Sequence, residues 1–180
     1  RGERKKTFFA NSGAEAVENA VKIARQATKK TGIVSLECGF HGRTLMAMAL
    51  TSKVKPYKHG FGPFPSDTYK VPSAYCYRCQ FQSTYPGCGL HCLEHFDRFF
   101  AAEAASDQIA AVIAEPIQGE GGFIVPPQEY FSGLKAICEK NDILFIADEI
   151  QTGFARSGKM FAIEHWGVEP DIMTTAKSIA

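Results

Sequence analysis

Apolar and polar positions alternate along this chain in two rhythms. From Ala14, small and apolar side chains recur at Val17, Val21, Ala24 and Thr28, the three- and four-residue spacing of an amphipathic helix reaching about Lys30. Ser12 and Glu15 stand at capping-box spacing before it. Lys29 and Lys30 complement its C-terminal dipole, and Gly32 is placed to stop it. A second helix is expected over 93–105, with Phe96, Phe99 and Phe100 on one side and Glu94, Asp97, Arg98 and Glu103 on the other. A third, over 128–141, carries Tyr130, Leu134, Ile137 and Cys138.

Between the helices the pattern becomes unbroken apolar runs. Short strands are expected over 7–10 and 33–37, and fully apolar ones over 109–115 and 143–150. Runs without alternation fit a parallel sheet covered on both faces. A last short run, 171–177, ends in Lys177. The order of elements predicts an α/β fold with a mostly parallel sheet sandwiched by helices. Residues 53–93 show little periodicity, and Pro56, Pro63, Pro65, Pro72 and Pro86 mark them as an irregular excursion within a single unit spanning 1–180.

Composition narrows the function. A net charge of +1 over 180 residues argues for no nucleic-acid partner and no anionic membrane surface. No apolar run approaches the roughly 20 residues that span a bilayer, and no secretory signal follows the charged start. A reducing, cytoplasmic location is the expectation. The chain lacks an initiator Met and stops just past Lys177, so it reads as an incomplete chain, a fragment of a longer protein.

The candidate chemistry gathers in 144–177. One apolar strand delivers Asp148 and the next delivers an amine, Lys177. An acid and an amine brought together at strand ends suit chemistry on a bound ring, with Lys177 as a Schiff-base lysine and Asp148 as the partner of a cofactor nitrogen. The strand–Gly–helix junction at Ser12, Gly13 and Ala14 leaves backbone N–H groups facing outward, which is either a phosphate site or simply a well-capped helix. Phe40 and His41 sit between Gly39 and Gly42 on a strand's C-terminal rim, where ligands bind in open α/β sheets. Phe40 is either a stacking platform for a planar ring or a loop aromatic packed on the core.

Four of the six cysteines, Cys76, Cys79, Cys88 and Cys92, cluster in the excursion. Their spacing could hold zinc or an iron–sulfur cluster, form two disulfides, or leave free thiols. Cys38 and Cys138 read as ordinary buried thiols.

Taken together, several motifs resemble the class III pyridoxal-phosphate (PLP) aminotransferases. They are Asn11-Ser12-Gly13-Ala14-Glu15-Ala16, Phe40-His41-Gly42-Arg43-Thr44, 115–122 (Glu-Pro-Ile-Gln-Gly-Glu-Gly-Gly), 148–154 (Asp-Glu-Ile-Gln-Thr-Gly-Phe), Arg156-Ser157-Gly158, and Pro170-Asp171-Ile172 leading to Lys177. The resemblance covers nearly the whole chain. It implies the large domain of a fold-type-I, aspartate aminotransferase-like PLP transferase. It also implies transamination of an ω-amino acid or amine, 4-aminobutyrate first, with a 2-oxo acid acceptor such as 2-oxoglutarate. The expected partners are thus an amino donor and a 2-oxo acid, in a homodimer whose sites are completed across the interface.

By the same resemblance, Ser12, Gly13 and Ala14 would cradle the phosphate, with His41 beside the stacking Phe40. Ile150 would pack on the other ring face, Gln151 would reach the ring's phenolic oxygen, and Asp148 would contact its nitrogen. Lys177 would carry the cofactor as an aldimine. Glu120 matches the family's gate glutamate. Ornithine or acetylornithine aminotransferases are the near alternatives. A decarboxylase, aminomutase, racemase or phospholyase would keep the same cofactor residues, and a non-catalytic PLP-binding domain is a third reading. Two features depart from the family: Ala155 stands where a glycine is usual, and the four-cysteine stretch is not general.

Overall fold

The computed structural model describes residues 5–179. Its centre is a five-stranded, all-parallel sheet of order β2-β1-β3-β4-β5. The strands are β1 (Gly32–Leu36), β2 (Thr68–Val71), β3 (Ile109–Ala114), β4 (Leu144–Asp148) and β5 (Ile172–Thr174). The helices are α1 (Gly13–Thr28), α2 (Leu45–Leu50), α3 (His91–Ala102) and α4 (Tyr130–Lys140).

Every residue of β1 and β3 is buried, and the pleat sends successive side chains into two separate cores. Val34, Leu36, Val112, Phe145 and Ala147 face one core, packed against Phe96 and Phe99 of α3 and Phe131 and Leu134 of α4. Ile33, Ala111, Ile113 and Ile146 face the other, against Val17, Val21 and Ala24 of α1 and Met46 and Leu50 of α2. With both faces of the central strands covered, the C-terminal strand ends form the rim on which the site is built.

α1 begins as its caps require. Ser12 Oγ accepts the N–H of Glu15 at 3.2 Å. The Glu15 carboxylate accepts the N–H of Asn11 at 2.7 Å, one residue earlier than a strict capping box. Its end differs from expectation. Lys29, not Gly32, takes the left-handed turn (φ 61°), and Gly32 opens β1, where a Cβ would stand 2.6 Å from Ile109.

Three further expectations are corrected. Residues 7–10 form no strand; Phe8 and Phe9 are exposed. The excursion 53–93 is not purely irregular. It supplies the edge strand β2, pairing Thr68 with Ile33 through Val71 with Leu36, a 3-10 turn over Cys76–Arg78, and the first turn of α3. The third concerns the cysteines. Cys76, Cys79, Cys88 and Cys92 line one small pocket together with Phe81 and His91, yet all are free. Among the described residues no group of three or more His, Cys, Asp or Glu side chains is placed to hold a metal ion. The placement of these side chains does not support the zinc or iron–sulfur expectation. Burial pushes the Cys92 thiol up to about 11. No described helix is long and apolar enough to cross a membrane.

Candidate active site

Four strand ends and one helix start meet on the rim. Asp148 closes β4, and Thr174 closes β5 directly beside it in register. Asp148 is 3% exposed, and its carboxylate accepts three hydrogen bonds. Its Oδ1 takes the N–H of Ile150 at 3.2 Å and the Thr174 hydroxyl at 3.0 Å. Its Oδ2 lies 2.7 Å from His41 Nδ1; a carboxylate only accepts, so the ring carries the proton of that bond at Nδ1. His41 is 2% exposed, and its Nε2 has no partner among the described residues. The plane of Asp148 is thus fixed from β5, from its own turn and from the loop after β1.

Lys177 lies three residues beyond β5 in a left-handed conformation (φ 54°), which a non-glycine residue adopts at a cost of order 1–3 kcal/mol. Its Nζ donates to Gln151 Oε1 at 3.2 Å. A Cβ on Gly119 would come within 2.6 Å of the far end of the Gln151 side chain, so a larger residue there would displace Gln151 from this seat. Gly13, at the start of α1, sits where a Cβ would be 3.1 Å from Ile150 and 3.4 Å from Ala176. The N–H groups of Gly13 and Ala14, at the first turn of α1, have no intrahelical carbonyl available to them. Phe40 leaves the end of β1 half-buried, its ring 4.8 Å from that of Tyr57.

Glu120 is exposed, and Tyr57 donates to its Oε2 at 2.6 Å while Lys53 Nζ donates to its carbonyl at 2.6 Å. That bond raises the Tyr57 pKa, with the Glu120 charge adding to it. At the end of β3, Glu115 is buried and accepts from Phe40 N and Gly119 N. Burial, opposed by His41 and assisted by Asp148, raises its pKa to about 7.

Gly13 thus meets Ile150, Ile150 bonds Asp148 and Lys177 bonds Gln151, with Ser12 and Ala14 flanking Gly13, Phe40 on the adjoining loop and Glu120 at the margin. His41 lies beneath, in contact with the carboxylate. Sequence reasoning missed Thr174, Tyr57, Lys53 and Glu115. Glu115 carried a usable signal, since it ends an apolar run as Asp148 does. Tyr57 and Lys53 lie in the aperiodic excursion and carried none.

The model of the family described as Aminotransferase class-III matches residues 2–180. The chain belongs to that family. It is 52% identical over 176 residues to a probable 4-aminobutyrate aminotransferase of Bacillus subtilis, covering 98% of this chain and 40% of that one. It is 47% identical over 184 residues to the 4-aminobutyrate aminotransferase of Mycobacterium leprae, covering 99% and 40%. Among solved structures, an amine transaminase from an uncultivated Pseudomonas species in its PLP-bound form superposes with a TM-score of 0.86. That pair is 35% identical, covering 92% of this chain and 38% of the other. This class III chain therefore spans about 40% of the length of the curated relatives it matches. Membership implies PLP as cofactor, and the donor set fits one: uncommitted helix-start N–H groups for a phosphate, and a buried, triply bonded carboxylate for a ring nitrogen.

Proposed function

We propose that the whole protein is a PLP-dependent transaminase. It would transfer the amino group of an ω-amino acid, 4-aminobutyrate first, to a 2-oxo acid such as 2-oxoglutarate. One observation carries the reading. The carboxylate of Asp148, a residue 3% exposed, is held by His41, Ile150 and Thr174 on the rim where neighbouring strand β5 hands over a strained lysine. The choice of donor is supported by the names of the relatives from Bacillus subtilis and Mycobacterium leprae.

Bound on this rim, PLP would supply the sink for the electron pair left when a bond to the donor's amine-bearing carbon breaks. The chain's own residues do the rest. Ser12 and the N–H groups of Gly13 and Ala14 bind phosphate. Phe40 and Ile150 hold the two faces of a planar ring. Gln151 orients its oxygen edge, with its side chain confined by Gly119. Asp148 presents a carboxylate that cannot rotate away from the ring nitrogen, because three donors fix it. Lys177 anchors the cofactor and, when freed, takes and returns the proton at Nζ as general base and acid. Glu120, held by Tyr57 and Lys53, stands where a charged substrate arm would arrive. A homodimer whose interface completes the site belongs to the same reading.

The test is whether the whole protein forms glutamate from 2-oxoglutarate in a 4-aminobutyrate-dependent reaction with parallel-line, two-stage kinetics. Carbon dioxide release or donor racemisation without glutamate would overturn transamination in favour of another reaction on the same site.

A further inference from the structure

Glu115 is a buried titratable group that neither the ring contacts nor the proton transfer uses. It leaves the end of β3 with 5% exposure and divides its oxygens between two loops. Oε1 accepts the N–H of Phe40 at 2.8 Å, in the loop after β1. Oε2 accepts the N–H of Gly119 at 3.1 Å, in the loop after β3.

The place matters. β1 and β3 are neighbours, but the chain runs outward from β1 to β2 on one side and from β3 to β4 and β5 on the other. Loops leaving two such strands diverge and open a crevice at the strand ends. Their backbone N–H groups, turned into a buried seam, need acceptors. Glu115 provides one to each wall. Beside it, Gln118 Nε2 donates to the Glu37 carbonyl at 2.7 Å, a second tie between the same walls.

We propose that Glu115 is a positioning residue that clamps the loop carrying Phe40 to the loop carrying Gly119 and Glu120. It thereby sets the height of the aromatic over the ring and the seat of Gln151. The clamp stands on the geometry above; its consequence for the ring rests on the proposed role of Phe40.

A carboxylate suits the task because it brings two acceptor oxygens and no hydrogen. Glutamine at 115 would keep one acceptor and turn an N–H group toward the other N–H. Protonated Glu115 would have the same defect, with a hydrogen on one oxygen. The titratable groups facing it are His41, from the Phe40 loop, and Asp148, from β4. The Gln118 tie remains in either case, so the crevice loosens without coming apart.

The experiment compares the whole protein with Glu115→Gln. In the cofactor-free form, hydrogen exchange is followed for peptides containing Phe40 and Gly119. The variant should exchange both roughly tenfold faster, with the β3 and β4 peptides unchanged, as expected for loss of a charge-assisted bond that limits local opening. Loaded with PLP, it should bind the cofactor, show an altered visible circular dichroism band, and lose kcat/KM together with any ionisation near pH 7. Unchanged exchange at both peptides overturns the clamp. Faster exchange with an unchanged dichroism band and kcat/KM overturns the positioning of the ring. If Glu115→Gln does not fold, Glu115→Asp, one methylene too short to reach both walls, should show the same faster exchange. If neither variant folds, Glu115 serves the fold alone and the proposal is wrong. Failure of the wild-type protein to bind PLP or transaminate would refute the functional reading, and the exchange result would still decide the clamp.

Discussion

His41 Nδ1 and Asp148 Oδ2 lie 2.7 Å apart, with side chains 0% and 2% exposed, so the imidazole supports the carboxylate from a position water does not reach. Replacing the imidazole removes a donor from a buried acceptor, which costs about 1–3 kcal/mol. His41→Phe in the whole protein should lower the unfolding free energy read from urea titration by that amount and reduce turnover, while leaving phosphate-dependent cofactor binding in place. Unchanged stability would show that the bond carries no weight.

Asp148→Asn keeps shape and most hydrogen bonding but changes what the ring nitrogen meets. The variant should bind PLP and lose roughly 100-fold or more in kcat, the size seen when one preorganised electrostatic contact is removed. Near-normal turnover would argue against the assigned role.

Glu115 makes stability depend on pH in a defined window. Its ordinary pKa is 4.5, and burial raises it to about 7 in the folded protein. Between these values the folded state holds a proton that the unfolded state has released. Stability is therefore highest below about 4.5 and falls as pH rises through about 7, by about 3 kcal/mol in all. Glu115→Gln should remove this contribution, seen as a smaller difference in urea midpoint between pH 5 and pH 8 than in the wild type.

Ala155 adopts φ 64°, beside Phe154 at 58°. The left-handed region costs an L-residue roughly 1 kcal/mol that glycine does not incur. Ala155→Gly should be neutral to stabilising by up to about 1 kcal/mol, with the greater chain entropy of glycine offsetting part of the gain. A clear loss of melting temperature would contradict the strain.

The thiols should sort by burial. Burial raises the Cys92 and Cys138 thiols to about 11 and about 12, so both should resist alkylation in the folded protein at mildly alkaline pH. Cys76 is exposed and should react before them, even though desolvation raises its pKa as well. Mass spectrometry of labelled peptides reads the order directly.

The sheet was legible because β3 and β4 are unbroken apolar runs and α1 has its caps written at Ser12 and Glu15. β2 was not. Its four residues include Lys70, whose Nζ bonds the carbonyls of Ala49 and Leu50, and proline-rich stretches on both sides hide the short run. α2 was missed because all-apolar 45–50 has no polar face to show a period; all but Leu45 are buried. At the site, residues in linear motifs were found. Those that act from another element, such as Thr174 on Asp148 or Tyr57 on Glu120, depend on sheet register and loop path, which local spacing does not encode.

The central claim is that this rim holds PLP through Lys177 for amino transfer. Its most direct measurement is the whole protein carrying Lys177→Ala, assayed for the visible absorbance of bound cofactor and for 4-aminobutyrate-dependent glutamate formation. Both should disappear while the fold, read by circular dichroism, stays intact. Retained transamination with Lys177 absent would contradict it.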